Sequence, residues 1–229
     1  MYTSLENVIP SLEEEGFIIN DPWDVVDAFE KKVAEYAGSK YAVSLDNCTN
    51  AMFLCLKYLN YSGEVTIPKN TYMSVPVTLI NAGCFVNFED ITWSGLYRLY
   101  PTPIYDGATR FCKGMYVQDS YHCLSFHKKK ILGMGKGGMI LTNDEDAYDW
   151  FKIARYEGRH SSIPYAEDTF DMIGWNMYMP PEQAAYGVTL FNDLPDYNQD
   201  CGSSEVYFDL SEVEVFKKAN KAWGKGEKV

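Results

Sequence analysis

Apolar strand-like segments alternating with helical stretches constrain this chain more than any other feature. Residues 41–45, 64–67 and 84–88 have the apolar density of buried strands, and residues 50–60 and 71–82 between them are rich in helical apolar positions. Such alternation specifies βαβ units, and therefore an α/β fold with a largely parallel sheet. A helix precedes the first strand: Asp21-Pro22 supplies an N-cap and a first-turn proline, Gly38 a stop, and Trp23, Val26, Phe29 and Val33 an apolar stripe. Downstream, residues 103–106, 115–117, 122–126 and 138–142 read as strands. Helices are expected from Asp144 or Glu145 to about Tyr156, from Pro180-Pro181 to Phe191, and over 211–223, with a further strand at 206–208. With no repeat or low-complexity linker, residues 1–195 are expected to form one domain and residues 196–229 a short C-terminal remnant that does not fold independently.

Charge and composition narrow the classes of function. The formal net charge is −12, which argues against a nucleic-acid backbone as the main partner. No apolar run reaches the ~18 residues of a membrane span. The first sixteen residues hold four Glu and no Lys or Arg, unlike a signal peptide, so a cytoplasmic location is expected. The six cysteines form no C-x-x-C pair and read as reduced thiols, and the three histidines lack the spacing of a metal site.

Gly133-Met134-Gly135-Lys136-Gly137-Gly138 matches G-x-G-x-x-G, but a lysine-rich segment precedes it and a strand follows, the reverse of a dinucleotide-binding turn. Lys136 is followed by Gly, which excludes a Walker loop. The segment just upstream, Ser125-Phe126-His127-Lys128-Lys129-Lys130, puts three cations between a buried strand and a glycine turn in an acidic chain. A lysine held among cations and apolar groups loses proton affinity and becomes an amine nucleophile. Asp106, at the end of a strand, complements it. A lysine for the C4′ carbon and a carboxylate for the pyridine nitrogen together point to pyridoxal 5′-phosphate.

These residues resemble the DegT/DnrJ/StrS family of sugar-nucleotide aminotransferases, whose S-F-H-x-x-K segment, Gly-Gly pair and T-N-D strand end appear as Ser125 to Lys130, Gly137-Gly138 and Thr142-Asn143-Asp144. The family's F-E-x-x-x-A-x-Y-x-G entry appears as Phe29-Glu30 to Gly38 and leads to Asn47-Cys48-Thr49. Its P-x-x-T-[FYW] segment appears as Pro68 to Tyr72, and its Asn and Q-A-A motif as Gly174-Trp175-Asn176 to Gln183-Ala184-Ala185. The resemblance implies the three-layer large domain of the aspartate-aminotransferase fold (fold type I), reduced in size. It implies the Schiff-base lysine at Lys130 and phosphate contacts from Ser125 and from backbone amides at Cys48 and Thr49. Tyr72 falls on the cofactor ring face, Asp106 on the ring nitrogen, and Thr109 on the position three residues later that is commonly His or Gln. Asn176 is implied to reach the phosphate of a neighbouring subunit, hence a homodimer with shared sites. Asp119 is the rival ring carboxylate, but Asp106, 24 residues before Lys130 and followed by Gly107-Ala108, fits the family better.

The implied activity is transfer of an amino group from an amino acid, glutamate foremost, to a keto-sugar nucleotide. The alternatives are a sugar dehydratase, a branch that replaces the lysine by His, and a non-catalytic remnant that keeps the cofactor fold for stability or partner binding. Departures from the family are expected to open the acceptor site. Tyr178 stands where Arg is usual, the stretch between Asp90 and Asp106 is too short for a strand–helix unit, and only residues 192–229 follow the Q-A-A helix, as in a miniature, virus-encoded branch. The basic stretch from Lys152 to His160, with Arg155 and Arg159, is a candidate for compensating anion recognition.

Overall fold

The computed structural model describes residues 5–224. Two helices, α1 (Leu5–Glu14) and α2 (Pro22–Ala37), precede strand β1 (Tyr41–Leu45). Then follow α3 (Cys48–Tyr58), β2 (Glu64–Pro68), α4 (Ser74–Ala82), β3 (Phe85–Glu89), β4 (Tyr97–Leu99), β5 (Ile104–Asp106), β6 (Tyr121–Ser125) and β7 (Gly138–Thr142). Helices α5 (Glu145–Ala154), α6 (Pro181–Phe191) and α7 (Glu214–Trp223) complete the set, with a 3₁₀ turn at Ser204–Val206 before the last. None of the described helices is long and apolar enough to cross a membrane.

The capping residues act as the sequence dictates. Asp21 accepts from the Trp23 amide at 2.6 Å, and Asp24 completes a capping box. Gly38 ends α2 at φ 84°, a left-handed conformation that glycine adopts without strain. Helix α1 runs through Pro10 and buries Val8 and Leu12, a four-residue spacing on one face.

Five strands form a sheet in the order β1-β7-β6-β5-β4, and β2 pairs with β3 in a second, parallel sheet. Reciprocal backbone bonds between Thr66 and Tyr100, at 2.7 and 3.1 Å, join the two sheets just beyond β4. The expected largely parallel sheet is therefore corrected to a mixed one. β7 runs against both β1 and β6, and β4 folds back on β5 as a hairpin, so β2–β3 and β5–β6 are the parallel ladders. The segment between β3 and β5 is too short to return through a helix, and the antiparallel β4 occupies that place.

Alternate strand residues feed two cores. Val43, Leu45, Cys123 and Ile140 pack with α3, α4 and α5, whereas Ala42, Leu124, Met139 and Leu141 pack with α1, α2 and α6. This is the three-layer arrangement of helices, sheet and helices. The expected strands at 115–117 and 206–208 are absent. Met115 lies in a loop, and exposed Val206 ends the 3₁₀ turn.

A buried ionic cluster ties the layers together. Glu30 of α2 accepts from the Ser44 amide at 2.8 Å and the Ser44 hydroxyl at 2.7 Å, pairs with Arg155, and meets Lys152 at 2.9 Å. Burial opposes the Glu30 charge, but Arg155, Lys152 and the Ser44 amide outweigh it and hold its pKa at about 2. Arg155 is 1% exposed, so its expected role in recognising an external anion is replaced by this internal one.

Candidate active site

A cavity of about 430 Å³ opens where β5 and β6 reach their carboxyl ends and α3 begins, the place where open α/β sheets bind ligands. At the end of β5, Asp106 is 6% exposed. Its Oδ2 accepts from the Tyr97 hydroxyl at 2.7 Å and its Oδ1 from the Ala108 amide at 2.9 Å. Burial pushes this carboxyl up, against the Tyr97 and Ala108 bonds and the nearby Lys130 charge, which favour the ionised form.

β6 delivers Ser125 to the cavity, and the turn that follows carries Lys130, whose amide binds the His127 carbonyl at 2.7 Å. The glycine run doubles back behind this turn: Met134 binds Phe126, and Phe126 binds Gly137, so the G-x-G-x-x-G match belongs to a loop that shapes the lysine turn. Gly138 has a stricter reason to be glycine, because a Cβ there would lie 2.3 Å from the Asn47 carbonyl carbon and 2.4 Å from the Cys48 nitrogen. The start of β7 therefore presses against the start of α3.

Helix α3 is capped by Asn47, which accepts from the Asn50 amide at 2.8 Å. Its first turn brings Cys48 and Thr49 to the cavity, where a helix N-terminus with its dipole favours an anion. The Thr49 hydroxyl meets that of Ser74, in the first turn of α4, at 3.0 Å. Burial, reinforced by the Asp106 charge, raises the Cys48 thiol well above its ordinary range, so it is a neutral wall and no nucleophile. Tyr72 stands at the rim, 59% exposed.

The cavity thus gathers Cys48, Thr49, Tyr72, Asp106, Thr109, Ser125 and Lys130. Thr109 also holds the C-terminal segment, its hydroxyl lying 3.0 Å from the Gly95 carbonyl and 3.1 Å from that of Gly202. Asn176 lies elsewhere, with Asp46, Lys136 and Tyr178 around a second cavity of about 280 Å³, and its amide donates to Glu157 at 2.9 Å. The rival Asp119 is outside both cavities, in a left-handed turn with φ 56°.

Sequence reasoning missed several residues here. Tyr97 comes from the unforeseen β4, signalled only by the alternation Tyr97-Arg98-Leu99, of which Tyr97 and Leu99 are buried. Tyr207 and Cys201 close the cavity from the C-terminal segment. Tyr207 lies nearly parallel to Trp93 at 5.9 Å, and its carbonyl accepts from the Asn70 amide at 2.9 Å.

A family model described as the DegT/DnrJ/EryC1/StrS aminotransferase family matches residues 4–97 and 112–202. The unmatched stretch between these blocks contains β5 and Asp106. Among curated relatives, the spore coat polysaccharide biosynthesis protein SpsC of Bacillus subtilis (strain 168) is 26% identical over 244 residues, covering 84% of this chain and 62% of that protein. GDP-perosamine synthase of Escherichia coli O157:H7 is 26% identical over 223 residues, covering 78% and 60%. The chain therefore spans less than two thirds of these relatives. Among solved structures, AtS13 from Actinomadura melliaura superposes with a TM-score of 0.68 at 15% identity, covering 83% of this chain and 65% of that one. The aminotransferase from Psychrobacter cryohalolentis does so with a TM-score of 0.63 at 20% identity, covering 86% and 63%. At these identities the superpositions establish the fold.

Proposed function

The chain belongs to the DegT/DnrJ/EryC1/StrS aminotransferase family, and from that premise we propose that it is a pyridoxal-phosphate-dependent aminotransferase. The reaction we assign moves the amino group of an amino acid, glutamate, to a keto-sugar nucleotide. The observation that carries this reading is one cavity holding a buried carboxylate, a lysine and the start of a helix rich in hydroxyls.

That donor set fits pyridoxal phosphate. Asp106 suits a protonated ring nitrogen, Lys130 an aldehyde carbon, and the amides of Cys48 and Thr49 with the Thr49, Ser74 and Ser125 hydroxyls suit a phosphate dianion. Tyr72 supplies an aromatic face at the rim. When bound, the cofactor supplies an electron sink that acidifies the carbon bearing the donor amine. Lys130 Nζ then takes the proton from that carbon as general base and returns it as general acid. Asp106 holds the compensating negative charge in the same cavity, where burial strengthens the pairing.

Two further assignments complete the reading. A second copy of the chain supplies Asn176 to the phosphate, so the working unit is a homodimer. Residues 196–224 serve as the outer wall of the site rather than as a separate domain; Cys201 binds the Thr109 carbonyl at 2.8 Å and Leu210 the Lys69 carbonyl at 2.8 Å. Absorbance spectra of the purified protein with pyridoxal phosphate, before and after glutamate, test the assignment. A glutamate-dependent loss of the bound-aldehyde band is expected; a spectrum identical to that of free cofactor would overturn it.

A further inference from the structure

We propose that Tyr97 is a positioning residue for Asp106: it is the second link of a directed hydroxyl relay, Thr71 to Tyr97 to Asp106, that keeps the carboxylate ionised and fixes its plane toward the cavity. The inference rests on the reading above, in which Asp106 partners the cofactor's ring nitrogen.

Strand register explains how Tyr97 reaches that carboxylate. β4 pairs antiparallel with β5 so that Tyr97 lies directly opposite Asp106. Opposed residues of an antiparallel pair project from the same face of the sheet, which brings phenol and carboxylate together. The Tyr97 ring is packed against Trp93, with centroids 4.8 Å apart, and Trp93 is itself anchored by its indole N–H on the Asn70 carbonyl at 2.9 Å.

The direction of the relay follows from proton counting. Tyr97 has one proton to give, and its oxygen lies 2.7 Å from Asp106 Oδ2 and 2.5 Å from the Thr71 hydroxyl. An ionised carboxylate only accepts, so the phenol donates to Asp106 and Thr71 donates to the phenol. Burial, reinforced by the Asp106 charge, keeps the Tyr97 hydroxyl well above its usual range, so it stays protonated and able to donate. With Ala108 N–H on the other oxygen, each carboxylate oxygen has one fixed donor.

The groups whose charges couple to Asp106 are few. The Lys130 charge favours the ionised carboxylate; Cys48, Cys123 and Tyr207 are held neutral by upward shifts led by burial. Among the described residues, Tyr97 is the side chain that hydrogen-bonds this carboxylate. Without its O–H, burial raises the proton affinity of Asp106. In the loaded protein, the shared proton then shifts from the ring nitrogen toward the carboxylate, which weakens the electron sink.

The test uses the full chain with carbon-13 in its aspartate carboxyls, and assigns the Asp106 signal by its loss in Asp106→Asn. Without cofactor, Tyr97→Phe is expected to raise the Asp106 pKa by at least about one unit, tenfold in proton affinity. Thr71→Val should raise it less, in the same direction, and serves as the probe if Tyr97→Phe does not fold. An Asp106 titration unchanged in both variants would overturn the relay. With nitrogen-15 in the cofactor ring, Tyr97→Phe should also move the ring signal toward its unprotonated position. Failure of the wild-type chain to bind cofactor would sink the functional reading and leave the carboxyl titration to judge the relay alone.

Discussion

Replacing Arg155 by Met removes one partner from the Glu30 cluster and leaves a carboxylate that is 4% exposed with Lys152 and Ser44 for company. Breaking a buried ion pair from one side destabilises by roughly 3–5 kcal/mol, because the remaining charge stays desolvated. The surviving Lys152 contact and the two Ser44 bonds place this case at the lower end, about 3 kcal/mol, or roughly a hundredfold in the folded-to-unfolded ratio. Urea titration at neutral pH measures the loss directly. The same cluster predicts the acid limb. Glu30 has a pKa of about 2 in the fold against 4.5 in the unfolded chain, so its contribution is complete above pH 4.5 and fades as the pH falls toward 2. Integrated, that difference is roughly 3 kcal/mol in the wild-type chain, and the limb should be shallower in Arg155→Met. A loss below about 1 kcal/mol, with an unchanged acid limb, would refute the reasoning that this pair clamps α2, β1 and α5.

Gly138→Ala should displace the start of α3 and destabilise the fold by about 1–3 kcal/mol, with weaker cofactor binding by fluorescence titration as its functional mark. Asp106→Asn should keep the cofactor but slow the half-reaction with glutamate by at least ~10²-fold in single-turnover kinetics, while Asp119→Asn, remote from the cavity, should be far milder. Chains carrying Lys130→Ala and chains carrying Asn176→Ala, each inactive alone, should regain activity on mixing, because a hybrid dimer rebuilds one intact site; no recovery would exclude a shared site. Tyr207→Ala removes an aromatic wall of the cavity and should raise the acceptor KM more than it lowers kcat in steady-state assays.

Much of this architecture was legible because its signals are local. Asp21, Pro22 and Gly38 bound α2 through their own backbone preferences, and the apolar runs of β1, β6 and β7 had one reasonable fate. Helix α1 escaped because Pro10 masks a pattern that Val8 and Leu12 complete only by packing. Strand direction was not local. The expectation of a parallel sheet assumed a helix after every strand, whereas β7 follows β6 through a glycine loop and β4 turns straight into β5. The site divides the same way. Ser125 to Lys130 is one continuous segment, so its chemistry could be read along the chain. The Tyr97–Asp106 contact depends on register across a three-residue strand, and Glu30–Arg155 on two helices meeting across β1, neither of which any spacing rule encodes.

On the proposed function, Lys130 and Asp106 share one pyridoxal phosphate site. Borohydride reduction of the protein mixed with that cofactor, followed by peptide mapping, tests it most directly. A single pyridoxyl adduct on Lys130 is expected, lost in Lys130→Ala and retained in Asp106→Asn. An adduct on Lys128 or Lys129, or none above the background of surface lysines, would contradict it.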